Sequence, residues 1–155
     1  MSAVAQEGAR VKSTIQVGSR LFGPIEASST DCITMPEGML GFAGERRFIL
    51  LPAATEGVFW LQSVDDGGLI FLLVDPFPTF PDYCVDVPEA LPGDNDTEIA
   101  VLSIVTLPRQ PGDECTVNLQ GPLVLDLANR TGRQVIVDDP QYHTRHSIDL
   151  RARLK

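Results

Sequence analysis

His143 and His146 are the only histidines in the chain, and Asp138 and Asp139 come just before them. Imidazole and carboxylate donors together are the material of a zinc site. Positions three apart share a face only on a helix, and Pro140 and the shortness of the run argue against one here. Both histidines are therefore expected to be structural or peripheral. Gly38, Gly41 and Gly44 are evenly spaced, yet no Lys-Ser or Lys-Thr follows, so they do not read as a phosphate loop. Glu37 and Glu45 offer a pair of carboxylates, but nothing around them would raise a pKa for general acid work. No Gly-x-Ser-x-Gly elbow is present. Cys32, Cys84 and Cys115 are widely separated and form no Cys-x-x-Cys pair; Cys32 and Cys84 sit in strand-like contexts and are expected to be small buried hydrophobes. The chain is read as non-enzymatic, with no catalytic residue, metal or cofactor.

The stronger signal is for binding. Phe77-Pro78-Thr79-Phe80-Pro81-Asp82-Tyr83 places three aromatic rings in a segment stiffened by Pro76, Pro78, Pro81 and Pro88. Rigid aromatics lose little entropy on association and are frequent interface hot spots. The opposing reading is that the rings fold back to plug one end of a barrel. The loop lies in a stretch, Phe48 to Pro108, that holds ten Asp and Glu and no Lys, Arg or His, so this stretch alone accounts for the net charge of −9 and the rest of the chain is close to neutral. Such a surface repels nucleic acid and anionic membrane, and attracts a basic protein. Met39, Leu40 and Phe42 form a second apolar cluster on a glycine-rich turn, with a role either in contact or in closing the core.

The elements that must carry these residues are short. With 155 residues and 43% hydrophobic content, the chain suits one domain able to bury a core without staples. Strands are expected at Ser13–Val17, Ile25–Ser28, Asp31–Met35, Arg47–Leu51, Val58–Val64, Leu69–Val74, Glu98–Leu107, Thr116–Leu119, Leu123–Leu127 and Gln134–Val137, with turns at Asp65–Gly68, Gln120–Pro122 and Asn129–Gly132. Glu98–Leu107 is apolar on both faces and is expected to be central. One short helix is expected at Pro88–Leu91, stopped by Gly93. The fold class is all-β: a small barrel-like or sandwich domain of about ten antiparallel strands. Its core would take Phe48, Trp60 and Phe71. Residues 1–12 read as a flexible N-terminal tail, 13–150 as the domain and 151–155 as a C-terminal tail. No leader-like or membrane-length apolar run is seen, so a cytoplasmic protein is expected.

Several segments, taken in order, resemble the flagellar assembly factor FliW family. Met35-Pro36-Glu37-Gly38-Met39-Leu40-Gly41-Phe42 is similar to its Phe-Pro-x-Gly-x-x-Gly-Phe segment, and Phe48–Leu51 follows. Trp60–Val64 resembles its Leu-Gln-Ser strand. Asp75-Pro76-Phe77 with Pro81-Asp82-Tyr83 resembles Asn-Pro-Phe with a following Asp-Tyr. Ile104–Thr106, Thr116–Pro122, Asn129–Val135 and Tyr142–His146 resemble later segments, so the likeness spans about Ser13 to Ile148. Departures are Met35 for Phe, Asp75 for Asn, and Gln120-Gly121 for a more apolar pair.

The resemblance implies a small β-barrel-like fold and a bacterial, cytoplasmic, non-enzymatic function. It implies binding to the RNA-binding carbon storage regulator CsrA, relief of that regulator's repression of flagellin translation by an allosteric route, and binding to flagellin as a homeostatic sensor. The proline-stiffened aromatic loop, its place in a stretch free of positive charge and its family-like residues together make Asp75, Phe77, Phe80, Pro81, Asp82, Tyr83 and Glu98 the expected residues of the CsrA contact. The alternative function is a small-ligand carrier, which would need an interior cavity; the large apolar residues of these strands argue against one.

Overall fold

The computed structural model describes residues 14–86, 98–110 and 112–150. The expected helix at Pro88–Leu91 and both expected tails lie outside the described residues. Within them, eleven strands follow one another: β1 (Thr14–Ser19), β2 (Gly23–Ser28), β3 (Cys32–Thr34), β4 (Arg47–Pro52), β5 (Val58–Ser63), β6 (Ile70–Val74), β7 (Ile99–Thr106), β8 (Cys115–Val117), β9 (Leu123–Asp126), β10 (Thr131–Gln134) and β11 (His146–Ile148). A single 3-10 turn, Ser29–Asp31, separates β2 from β3, with the Ser28 hydroxyl accepting from the Thr30 amide.

Seven of these strands close into a barrel in the order β7-β6-β5-β4-β3-β10-β9, and β9 returns to β7. A closed ring with an odd number of strands cannot alternate direction all the way round. The exception falls at β3–β10, which is parallel and corrects the expectation of purely antiparallel pairing. β7 is the hub, pairing with β6, β8 and β9. β11 extends the sheet from β8. The β1–β2 hairpin forms a separate small sheet.

Ile33, Phe48, Leu61, Leu73, Leu123 and Leu125 fill the barrel interior and are fully buried. These side chains pack against one another as one cluster, and Leu50, Phe59, Ala100, Leu102 and Leu127, which belong to it or pack on it, also line an open cleft of about 470 Å3. Outward-facing residues of the same strands are covered too, which explains why their sequences are apolar on both faces. The β1–β2 hairpin covers Cys32 and Ile49 with Val17. The segments after β6 and before β11 cover Val58, Leu72, Val74, Val105 and Val117. Trp60 belongs to this outer layer, not to the interior. It is half-buried and meets Phe22 of the hairpin tip edge-on at 5.8 Å.

Two glycines make close approaches that explain their place. A Cβ on Gly67 would overlap the Gly18 carbonyl oxygen, and the Gly67 carbonyl itself accepts from the Arg20 amide at 2.9 Å, so the hairpin docks directly on the β5–β6 turn. Gly132 was expected in a turn and lies inside β10, where a Cβ would stand 2.5 Å from Leu125 and 2.9 Å from the Met35 sulfur. The turn ends two residues earlier, at Arg130 with φ 58°.

Candidate functional site

β6 runs into the loop Asp75–Tyr83, and the chain turns there for local reasons. Pro76 has no N–H to continue a ladder. The Asp75 carboxylate accepts from the Phe77 amide at 3.1 Å, an Asx turn that starts the bend. The Pro76 carbonyl accepts from Thr79 and Phe80 at 3.2 and 2.8 Å, and the Phe80 carbonyl accepts from Tyr83 at 3.0 Å. The loop is thus closed by its own backbone and is preorganised.

Its aromatic residues divide. Tyr83 is 4% exposed and belongs to the packed outer layer. Its hydroxyl donates to the Leu119 carbonyl at 2.6 Å, and burial holds the phenol far above its ordinary pKa, so it stays a donor. Tyr142 meets it edge-on at 4.8 Å. Phe77 and Phe80 are half-buried: Phe77 lies 5.8 Å from the Tyr83 ring and Phe80 lies 5.8 Å from His146. Pro78, Thr79, Pro81 and Asp82 are exposed. Tyr83 therefore supports the loop from beneath. What the loop offers outward is the edges of Phe77 and Phe80 with Pro81 and Asp82.

The other face of the loop borders a cleft of about 470 Å3, lined by Asp75, Phe77, Glu56, Phe59 and the first half of β7. Glu98, exposed, immediately precedes that strand, and its carbonyl accepts from the Leu127 amide at 2.9 Å. The expected set thus occupies two adjoining faces joined by the Phe77–Tyr83 ring pair. Asp75 and Phe77, with Glu98 alongside Ile99, belong to the cleft side. Phe80, Pro81 and Asp82 face the segment before β11.

Residues missed from sequence complete the support. Tyr142 reaches the Asp82 carbonyl at 3.5 Å from 60 positions away, a link no local pattern announces. The two histidines stack at 3.8 Å with 17° between their planes. The His146 Nε2 accepts from the His143 amide at 3.0 Å, and the His143 Nδ1 accepts from the Arg145 amide at 3.2 Å. Among the described residues no group of three or more His, Cys, Asp or Glu is placed to hold a metal ion.

The other early candidates also separate. Glu37 pairs with Arg133 at 3.3 Å, while Glu45 accepts from the Ser63 hydroxyl at 2.7 Å. Gly38 and Gly41 have φ of 69° and 87°, so they serve a tight turn. That turn buries Met39 and leaves Leu40 and Phe42 exposed. Cys32 is buried and its thiol pKa is pushed up by burial, whereas Cys84 is exposed, contrary to expectation. Cys84 follows Tyr83 in a segment outside the strands, where the tyrosine is the buried residue of the two.

The family model described as FliW protein matches residues 16–148, and so includes every residue of this loop and cleft. The chain belongs to the FliW family. The flagellar assembly factor FliW of Treponema denticola is 31% identical over 138 residues, covering 86% of this chain and 93% of that protein. The FliW of Moorella thermoacetica is 34% identical over 139 residues, covering 86% and 88%. A crystal structure of the flagellar assembly factor FliW matches with a TM-score of 0.76 at 32% identity, covering 85% of this chain and 95% of that one. The FliW match bears out the all-β, barrel-like fold. Among the described residues no helix is long and apolar enough to cross a membrane.

Proposed function

We propose that this FliW-family chain is a flagellar assembly factor that binds the translational regulator CsrA and antagonises its repression of flagellin mRNA. It also binds flagellin, so that free flagellin subunits set how much of the chain is available to the regulator. One observation carries the reading: the FliW match runs unbroken through a preorganised loop whose exposed acids lie in a segment without a single basic residue. A regulator that holds RNA must present Lys and Arg to phosphates. An acidic protein docked beside that surface attracts the regulator and repels its RNA without occupying the RNA site.

The carrier alternative calls instead for a small molecule seated in the cleft of about 470 Å3, where Leu50, Phe59, Ala100 and Leu102 of the barrel core are among the lining residues. Titration calorimetry of the purified chain with CsrA, and then with flagellin present, tests the reading. Saturable binding of CsrA that flagellin weakens is the expected result. Heat of dilution alone, with both partners folded, would refute it.

A further inference from the structure

The ladder between β6 and β7 stops before β7 does. It runs from Leu72↔Val105 to Val74↔Ser103, while β7 starts at Ile99 and keeps pairing with β9 on its other edge from Ile99↔Asp126 to Leu102↔Leu123. Continuing the β6 register would set Pro76 opposite Val101. Proline has no N–H to give, and the Pro76 carbonyl is already engaged by the Thr79 and Phe80 amides within the loop. β6 therefore peels away, and among the described residues no strand pairs with this edge of β7 from Ile99 to Leu102.

Two contacts fix which backbone groups point into that gap. The Glu98 carbonyl accepts from Leu127, and the Ile104 carbonyl accepts from Asn118, so both face the β9 and β8 edge. Backbone groups of alternate residues point to opposite edges of a strand. Ile99 and Val101 consequently direct their N–H and C=O groups to the opposite edge, into the cleft of about 470 Å3 walled by Phe59 and Phe77. Both residues are half-buried, and so within reach from outside. An unpaired strand edge is a template for another strand. The cleft mouth carries Glu56, and Glu98 is exposed beside Ile99.

We propose that the free edge of β7 at Ile99 and Val101 is a strand-addition site for an extended partner segment that carries an apolar side chain next to Lys or Arg. Backbone bonds to Ile99 and Val101 supply affinity, and alternate side chains of the guest supply specificity. The apolar side chain enters between Phe59 and Phe77, and the cation meets Glu56 or Glu98. The inference rests on the functional reading above for its choice of CsrA as the partner.

Amide hydrogen exchange by NMR, on the full chain alone and saturated with CsrA, tests it. The Val101 amide is expected to exchange readily in the free chain and to gain protection of about tenfold or more in the complex. Glu56→Lys is expected to weaken the complex several-fold with the melting temperature unchanged. A complex that forms without new protection at Ile99 or Val101 overturns strand addition and leaves the functional reading standing. Slow exchange at Val101 in the free chain also overturns it, because the chain then covers its own edge. Failure to form any complex with CsrA removes both.

Discussion

The Tyr83 hydroxyl donates to the Leu119 carbonyl at 2.6 Å, joining positions 36 apart in the chain. This bond fastens the acidic loop to the turn that leads from β8 into β9. Removing it by Tyr83→Phe leaves a buried carbonyl without its donor, at a cost of about 1–3 kcal/mol. Tyr83→Ala also empties the space beneath the loop and is expected to cost about 3–5 kcal/mol. Denaturant unfolding followed by circular dichroism measures both. Equal stability of Tyr83→Phe and the parent would show that the bond does not hold the loop.

A second expectation concerns the hairpin. Gly67→Ala puts a methyl group against the Gly18 carbonyl, where backbone meets backbone and neither side can yield cheaply. A loss of about 1–3 kcal/mol is expected, with tryptophan fluorescence shifting as Phe22 leaves Trp60, the only tryptophan. Gly18→Ala is the control, since a Cβ there meets nothing within 4 Å.

Acid should loosen the support of the loop. His146 has its pKa lowered from 6.5, first by burial and then by His143. The folded protein thus binds fewer protons than the unfolded chain between that lowered value and 6.5, and stability falls as pH drops through the window. The geometry agrees in sign: protonating Nε2 of His146 sets one N–H against the His143 N–H it now accepts. Thermal melts from about pH 8 down to pH 5 should be flat at first and then decline below the ordinary histidine value. His146→Phe, which keeps a ring beside Phe80 and Tyr142, should flatten the decline.

Asp82 is exposed and makes no side-chain bond that shapes the loop, so its charge can be reversed without disturbing the core. Asp82→Lys is expected to slow association with CsrA several-fold and to reduce the salt dependence of the rate, with an unchanged melting temperature. Stopped-flow association at two ionic strengths measures it. Identical rates for variant and parent would place the contact elsewhere.

Much of this fold could be read from residue types, because strands with large side chains between Gly, Pro and Asp turns leave few alternatives. The positions of β4 to β7 follow the apolar runs to within a residue or two. β11 is different: three residues, His146–Ile148, become a strand only because β8 lies beside them, and nothing local announces that partner. Gly132 shows the same limit. Glycine signals a turn locally, and only the facing Leu125 and Met35 reveal that it serves close packing inside a strand. In the loop, prolines and acids marked the segment, yet which rings turn inward depends on Leu119 and Tyr142, far away in the chain. The open edge of β7 was invisible in the sequence, since it arises from where Pro76 falls in the register with β7.

The central claim is tested most directly by a gel-shift titration. Labelled flagellin leader RNA is bound to CsrA at moderate salt, and the chain is added across a range of concentrations. The expected result is release of the RNA as the chain approaches stoichiometry with CsrA, with no shift of the RNA by the chain alone. An RNA–CsrA complex that persists at large excess of the folded chain, or a saturable complex between the chain and RNA itself, would contradict it.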